Sequence, residues 1–170
     1  MPEPIKPNPV NKSESPKKQV ILPDIHIPEK HQNTTDKSKD IVKEIKNAIN
    51  NDELGSLKDY KIRDLVKHAE EFGPYLKQQR LETNQVRKFL DAVNRIKANL
   101  AEKGDFSGQI DEVILLKPKL AYAAARQKAA KPLAEVMSIA IDKVYSKEDF
   151  ERLVQLIESI IAYHKAEGGK

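Results

Sequence analysis

Lys117, Lys119, Arg126, Lys128 and Lys131 fall within one stretch of fifteen residues that contains no acid. Helix faces that carry charge only for solubility intersperse both signs, as this chain does over residues 36–71 in DKSKDIVKEIK and KDYKIRDLVKHAEE. On a helix, Lys119, Tyr122 and Arg126 are spaced i, i+3, i+7 and share one stripe. A second stripe is offered upstream by Lys88 and Arg95, with Arg87 beside it. Cations along a groove with a tyrosine between them suit a phosphate backbone that is followed without reading its bases. The chemistry these residue types can do is therefore polyanion binding, at Arg87, Lys88, Arg95, Lys117, Lys119, Arg126, Lys128 and Lys131.

Residues for bond-making chemistry are not arranged for it. The four histidines, His26, His31, His68 and His164, form no i, i+4 pair, and no acid stands at a spacing that completes a metal triad. His68 and His164 are expected at surface or helix-end positions. Glu70-Glu71 and Asp111-Glu112 are adjacent in sequence rather than facing, a poor geometry for an acid/base pair. No serine lies in a nucleophile turn. The absence of cysteine removes thiolate zinc sites, disulfides and cysteine nucleophiles, and suits a reducing, cytoplasmic setting. Six glycines leave nothing from which to build a glycine-rich phosphate loop. Neither a catalytic residue nor a metal or cofactor site is expected.

The elements that must position the basic stripes are helices. The chain of 170 residues is poor in aromatics, with four Phe, five Tyr and no Trp, and poor in glycine, which disfavours a sandwich or barrel. Seven of its ten prolines lie at positions 2, 4, 7, 9, 16, 23 and 28, so residues 1–35 read as a disordered Pro/Lys/Ser-rich tail. Within it, Val20 to Ile27 is an apolar island that could dock on a partner. Residues 36–170 read as one helical domain, an all-α compact bundle of five to six helices.

The first helix is marked by Ile41, Val42, Ile45 and Ile49. Ser56 with Asp59 resembles a cap for the second, which carries Ile62, Leu65, Ala69 and Phe72 and is expected to end at Gly73-Pro74. Thr83 is expected to cap the third, whose stripe of Val86, Phe89, Leu90, Val93, Ile96 and Leu100 runs to Gly104. Pro118 either starts a helix or kinks a longer one; Pro132 begins another, and Ser146 with Asp149 caps the last. No apolar run is long enough to span a membrane, and the N-terminus is prolyl rather than an apolar signal core. The formal net charge is only +4, yet residues 77–131 hold twelve basic groups against six acids, which is more than the whole surplus.

Three blocks, TNQVRKFLDAV at 83–93, LLKPKLAYAAAR at 115–126 and AYHKAEGG at 162–169, resemble those of the small subunit of type III-A CRISPR effector complexes, the Csm family. The resemblance extends from about residue 52 to the last residue, and Ala125 stands where many members have glycine. It implies a non-catalytic, all-α RNA-binding subunit of an antiviral ribonucleoprotein. Such a subunit stacks in copies, head to tail, along the channel that holds guide RNA and target RNA. The backbone and large polymerase-like subunits of the complex are its other partners. The family's basic positions correspond here to Arg87, Lys88, Lys117, Lys119 and Arg126. Two competing readings stay open on residues alone: a helical protein-protein adaptor whose basic face is solubilising, and a small helical enzyme.

Overall fold

The computed structural model describes residues 34–170, with side chains from Ile41 onward. The expected tail, its island at 20–27, and His26 and His31 lie outside the described residues, except that Thr34 and Thr35 already belong to the first helix. The α-helices are α1 (Thr34–Asn50), α2 (Ile62–Gln78), α3 (Arg87–Lys103), α4 (Ile110–Ile114), α5 (Leu116–Arg126), α6 (Lys131–Asp142) and α7 (Lys147–Ala166). Only Leu115 separates α4 from α5; counted as one broken helix, they leave six among the described residues, within the expected five to six of an all-α bundle. Among the described residues there is no strand.

The longer helices form because most of their apolar residues recur on one face, and that face is the one buried. On α3, Phe89, Ala92, Val93, Ile96 and Leu100 are all buried. Phe72, Phe89 and Phe150 are fully enclosed, each contributing about 2–3 kcal/mol by leaving water. Helix α2 packs on α7, α5 on α6, α1 on both α2 and α6, and α3 against α5. The pair α2 and α7 run in the same direction. At one end Arg152 donates to the Tyr60 carbonyl at 2.8 Å; at the other, Gly73 lies against Tyr163 and His164.

That contact explains the first departure from expectation: α2 does not stop at Gly73-Pro74 but runs on to Gln78. Gly73 lacks a side chain because the helices touch there, and a Cβ would fall 2.6–2.8 Å from atoms of Tyr163 and His164. Packing against α7 carries the helix through Pro74, which forfeits one internal hydrogen bond. The helix ends instead in a Schellman motif. Arg80 adopts a left-handed conformation (φ 62°), its N–H donates to the Lys77 carbonyl at 2.9 Å, and the Leu81 N–H donates to the Leu76 carbonyl at 3.0 Å. Buried Leu76 and Leu81 supply the apolar contact of that motif.

The caps also redistribute. Ser56 and Asp59 do pair, but around a 3₁₀ turn (Leu57–Asp59) that precedes α2. Thr83 opens a 3₁₀ turn (Thr83–Val86) rather than capping α3, whose N-cap position is held by Val86, and the Thr83 N–H donates to the backbone oxygen of Lys170. Gly104 (φ 68°) closes α3 as expected. Pro118 lies in the first turn of α5, three residues after the break at Leu115. Ser146 and Asp149 form the expected reciprocal cap of α7.

The histidines overturn expectation more sharply. His164 does lie in the last turn of α7, yet both His68 and His164 are buried. Nδ1 of His68 is hydrogen-bonded to the Tyr60 hydroxyl, with Nε2 3.4 Å from a Glu44 carboxylate oxygen. Burial, then the nearby Asp64 and Glu44 charges, raises the Tyr60 phenol well above its ordinary value.

Candidate nucleic-acid interface

A groove of about 440 Å³ opens between α5 and the segment that enters α3. Its α5 wall is the predicted stripe of Lys119, Tyr122 and Arg126. Leu120 and Ala123, buried on the adjoining face of the same turns, anchor α5 to the core, and Ala123 forms part of the groove floor. The facing wall comes from the 3₁₀ turn and the first turn of α3, with Asn84, Gln85 and Lys88. Thus one predicted cation of α3 and two of α5 meet across one depression.

Tyr122 stands at its centre and is 51 % exposed, so it is not a core residue. Arg126 Nη1 donates to its hydroxyl at 2.8 Å, while Lys88 Nζ lies 5.5 Å and Arg126 Cζ 5.6 Å from the ring centroid. The hydrogen bond from Arg126, the Arg126 charge and the Lys88 charge together lower the phenol from its usual value. Among the described residues no acid forms an ion pair with Lys88, Lys119, Arg126, Lys128 or Lys131. One acid, Glu82, lines the groove and accepts from the Asn84 amide at 3.2 Å.

The remaining predicted cations are placed differently. Arg87 is exposed and lies 3.7 Å from Asp91 on its own helix. Arg95 is bound to Glu112 of α4 at 2.7 Å, and Lys117 to Asp142 of α6 at 2.6 Å. Lys117 and Lys131 line a second depression, bounded by α1, α5 and α6, with Lys46 and Glu135. Lys128 is exposed on the 3₁₀ turn after α5. The eight residues do not form one face: α5 divides them.

Sequence reasoning missed Asn84, Gln85 and Gln127 as groove residues, and Lys46 in the second depression. The amides carry no charge and leave no trace in charge counting. Lys46 sits in a segment of balanced charge and pairs with Glu135 at 3.5 Å. Among the described residues no group of three His, Cys, Asp or Glu side chains could hold a metal ion, and no helix is long and apolar enough to cross a membrane.

Comparison with known proteins bears on the same region. A family model described as Csm2 Type III-A matches residues 59–170, which includes both walls of the groove. The curated protein "CRISPR system Cms protein Csm2" of Streptococcus thermophilus is 32% identical over 100 residues, which cover 58% of this chain and 78% of that protein. No solved structure matches. With a family match over α2 to α7 and this relative beside it, the chain belongs to the Csm2 family of type III-A CRISPR systems.

Proposed function

We propose that this small subunit of a type III-A Csm complex holds RNA by its sugar-phosphate backbone in the groove between α3 and α5, and takes no part in bond cleavage. Lys88, Lys119 and Arg126 supply the positive charge, with Tyr122 as the flat surface among them. Guide RNA and target RNA are the ligands, and the other Csm subunits and further copies of this chain, head to tail, are the neighbours. Antiviral defence is the setting, in the cytoplasm. Where sequence is read by pairing between two RNA strands, a subunit lining the channel needs only to engage phosphates and sugars.

The observation that carries this reading is the exposed Tyr122 ring flanked by cations that no acid holds in an ion pair, since a merely solubilising face would pair them. Three phosphate contacts on a single strand give a slope of log K against log salt of about −2, so fourfold more salt costs roughly 15-fold in affinity. Lys119→Glu combined with Arg126→Glu should weaken binding to unrelated RNA sequences about equally, by at least roughly tenfold, as read by fluorescence anisotropy. Loss confined to one sequence would sink the backbone-only reading.

One observation favours the adaptor reading: Ile114 and Leu115, 54 % and 46 % exposed, leave apolar surface at the break between α4 and α5. An adaptor alone would show no RNA binding to titrate with salt.

A further inference from the structure

We infer that the end of α7 is a latch that positions the RNA groove, with His164 as its positioning residue; this rests on the RNA reading above. Helix α7 closes in a second Schellman motif. The Gly168 N–H donates to the Lys165 carbonyl at 2.9 Å, and the Gly169 N–H donates to the His164 carbonyl at 3.0 Å, with Gly168 left-handed at φ 80°. The turn folds Gly169 flat onto the His164 imidazole, where a Cβ would overlap three ring atoms.

The ring is fully buried, and its Nε2 lies 2.8 Å from the Leu81 carbonyl. A carbonyl can only accept, so Nε2 is the donor to it. Nδ1 has no partner. A side chain present only to fill space would not leave a buried ring nitrogen without a partner; what the imidazole adds over an apolar residue of similar size is one directional bond to Leu81.

That bond ends where the groove begins. Leu81 closes the Schellman motif of α2, and two residues later the Thr83 N–H donates to the backbone oxygen of Lys170 at 2.6 Å. The residues on either side of Glu82 are thus tied to the end of α7, and Glu82, Asn84, Gln85 and Val86 form the groove wall that faces Tyr122. This wall is a 3₁₀ turn of four residues, too short to hold its own place. The block AYHKAEGG, which contains no predicted RNA contact, acts on the groove through His164, and Lys170, which follows it, through the second bond.

The test separates positioning from charge. His164→Leu removes the donor to Leu81 and should weaken single-stranded RNA binding about three- to tenfold, the worth of one hydrogen bond. The salt slope should stay near −2, because the cations are untouched; Lys119→Ala should instead make the slope shallower. His164→Gln, which offers an amide N–H near the position of Nε2, should restore most of the affinity. A folded His164→Leu protein with unchanged affinity overturns the latch. So does a changed slope, which would assign His164 to charge. If His164→Leu does not fold, Gly169→Val displaces the turn from the ring; fast amide exchange at Thr83 supports the latch and unchanged exchange overturns it. If the unaltered protein binds no RNA, the RNA reading falls, and amide exchange at Thr83 in Gly169→Val still decides the latch in the same way.

Discussion

Asp149 shows how one side chain can be both a cap and a junction. Its carboxylate, 1% exposed, accepts from the backbone N–H groups of Tyr145 and Ser146 at the start of α7 and from the Lys58 N–H at 2.8 Å in the 3₁₀ turn before α2. Burial pushes the carboxyl up, but hydrogen bonds from Lys58, Ser56, Tyr145 and Ser146 outweigh it and hold the group below its ordinary value. A carboxyl with a lowered folded value contributes stability that is present above its unfolded value and is lost as pH falls through the folded one. Asp149→Asn should therefore cost about 1.5–3 kcal/mol at pH 7, the worth of hydrogen bonds to a charged group, with the deficit shrinking below about pH 4. Urea titrations from pH 7 to pH 3 measure this, and a deficit independent of pH would show that the charge is not what matters. The cap itself was legible, because Ser146 and Asp149 are three residues apart. The bond to Lys58 was not, since it joins residues 91 apart in sequence.

At the scale of elements, the parallel contact of α2 and α7 decides most of what sequence reasoning placed wrongly. Glycine followed by proline is a strong local stop signal, and it was overridden because a tertiary contact needs a bare backbone at Gly73. Gly73→Ala should then lower stability by about 1–3 kcal/mol through overlap with Tyr163 and His164, although alanine ordinarily favours a helix by about 1 kcal/mol. The urea midpoint reads this directly; a midpoint equal to or above that of the unaltered protein would mean the helices can part without cost. The true end of α2 was hidden for a related reason. The left-handed position that glycine usually marks is held by Arg80, at a strain of about 1 kcal/mol, so the chain carries no glycine to announce the turn. By contrast the stripe of α3 and its stop at Gly104 were readable from spacing alone, because local periodicity and tertiary burial agree there.

For the whole molecule, the basic excess over 77–131 is real, but its arrangement in space was not contained in its order along the chain. At about 100° per residue, Lys117 lies roughly 200° around α5 from Lys119, so a stretch continuous in sequence is split between two sides of one helix. The acids that neutralise Arg95 and Lys117 lie 17 and 25 residues away, so helical spacing along one element reveals neither pairing. The fold thus converts an acid-free stretch into one side with uncompensated cations, bearing Tyr122, and one side where Glu135 and Asp142 interleave with Lys46 and Lys117. Polyanion binding should follow uncompensated charge rather than charge count, because a lysine already paired must give up its partner to take a phosphate. Lys119→Ala should make the salt slope for single-stranded RNA shallower by about 0.7, the loss of one phosphate contact, while Lys117→Ala should leave it unchanged. Parallel salt titrations of the two variants decide the matter: equal losses would place RNA on both sides of α5, and a loss only in Lys117→Ala would move the interface to the depression between α1 and α6.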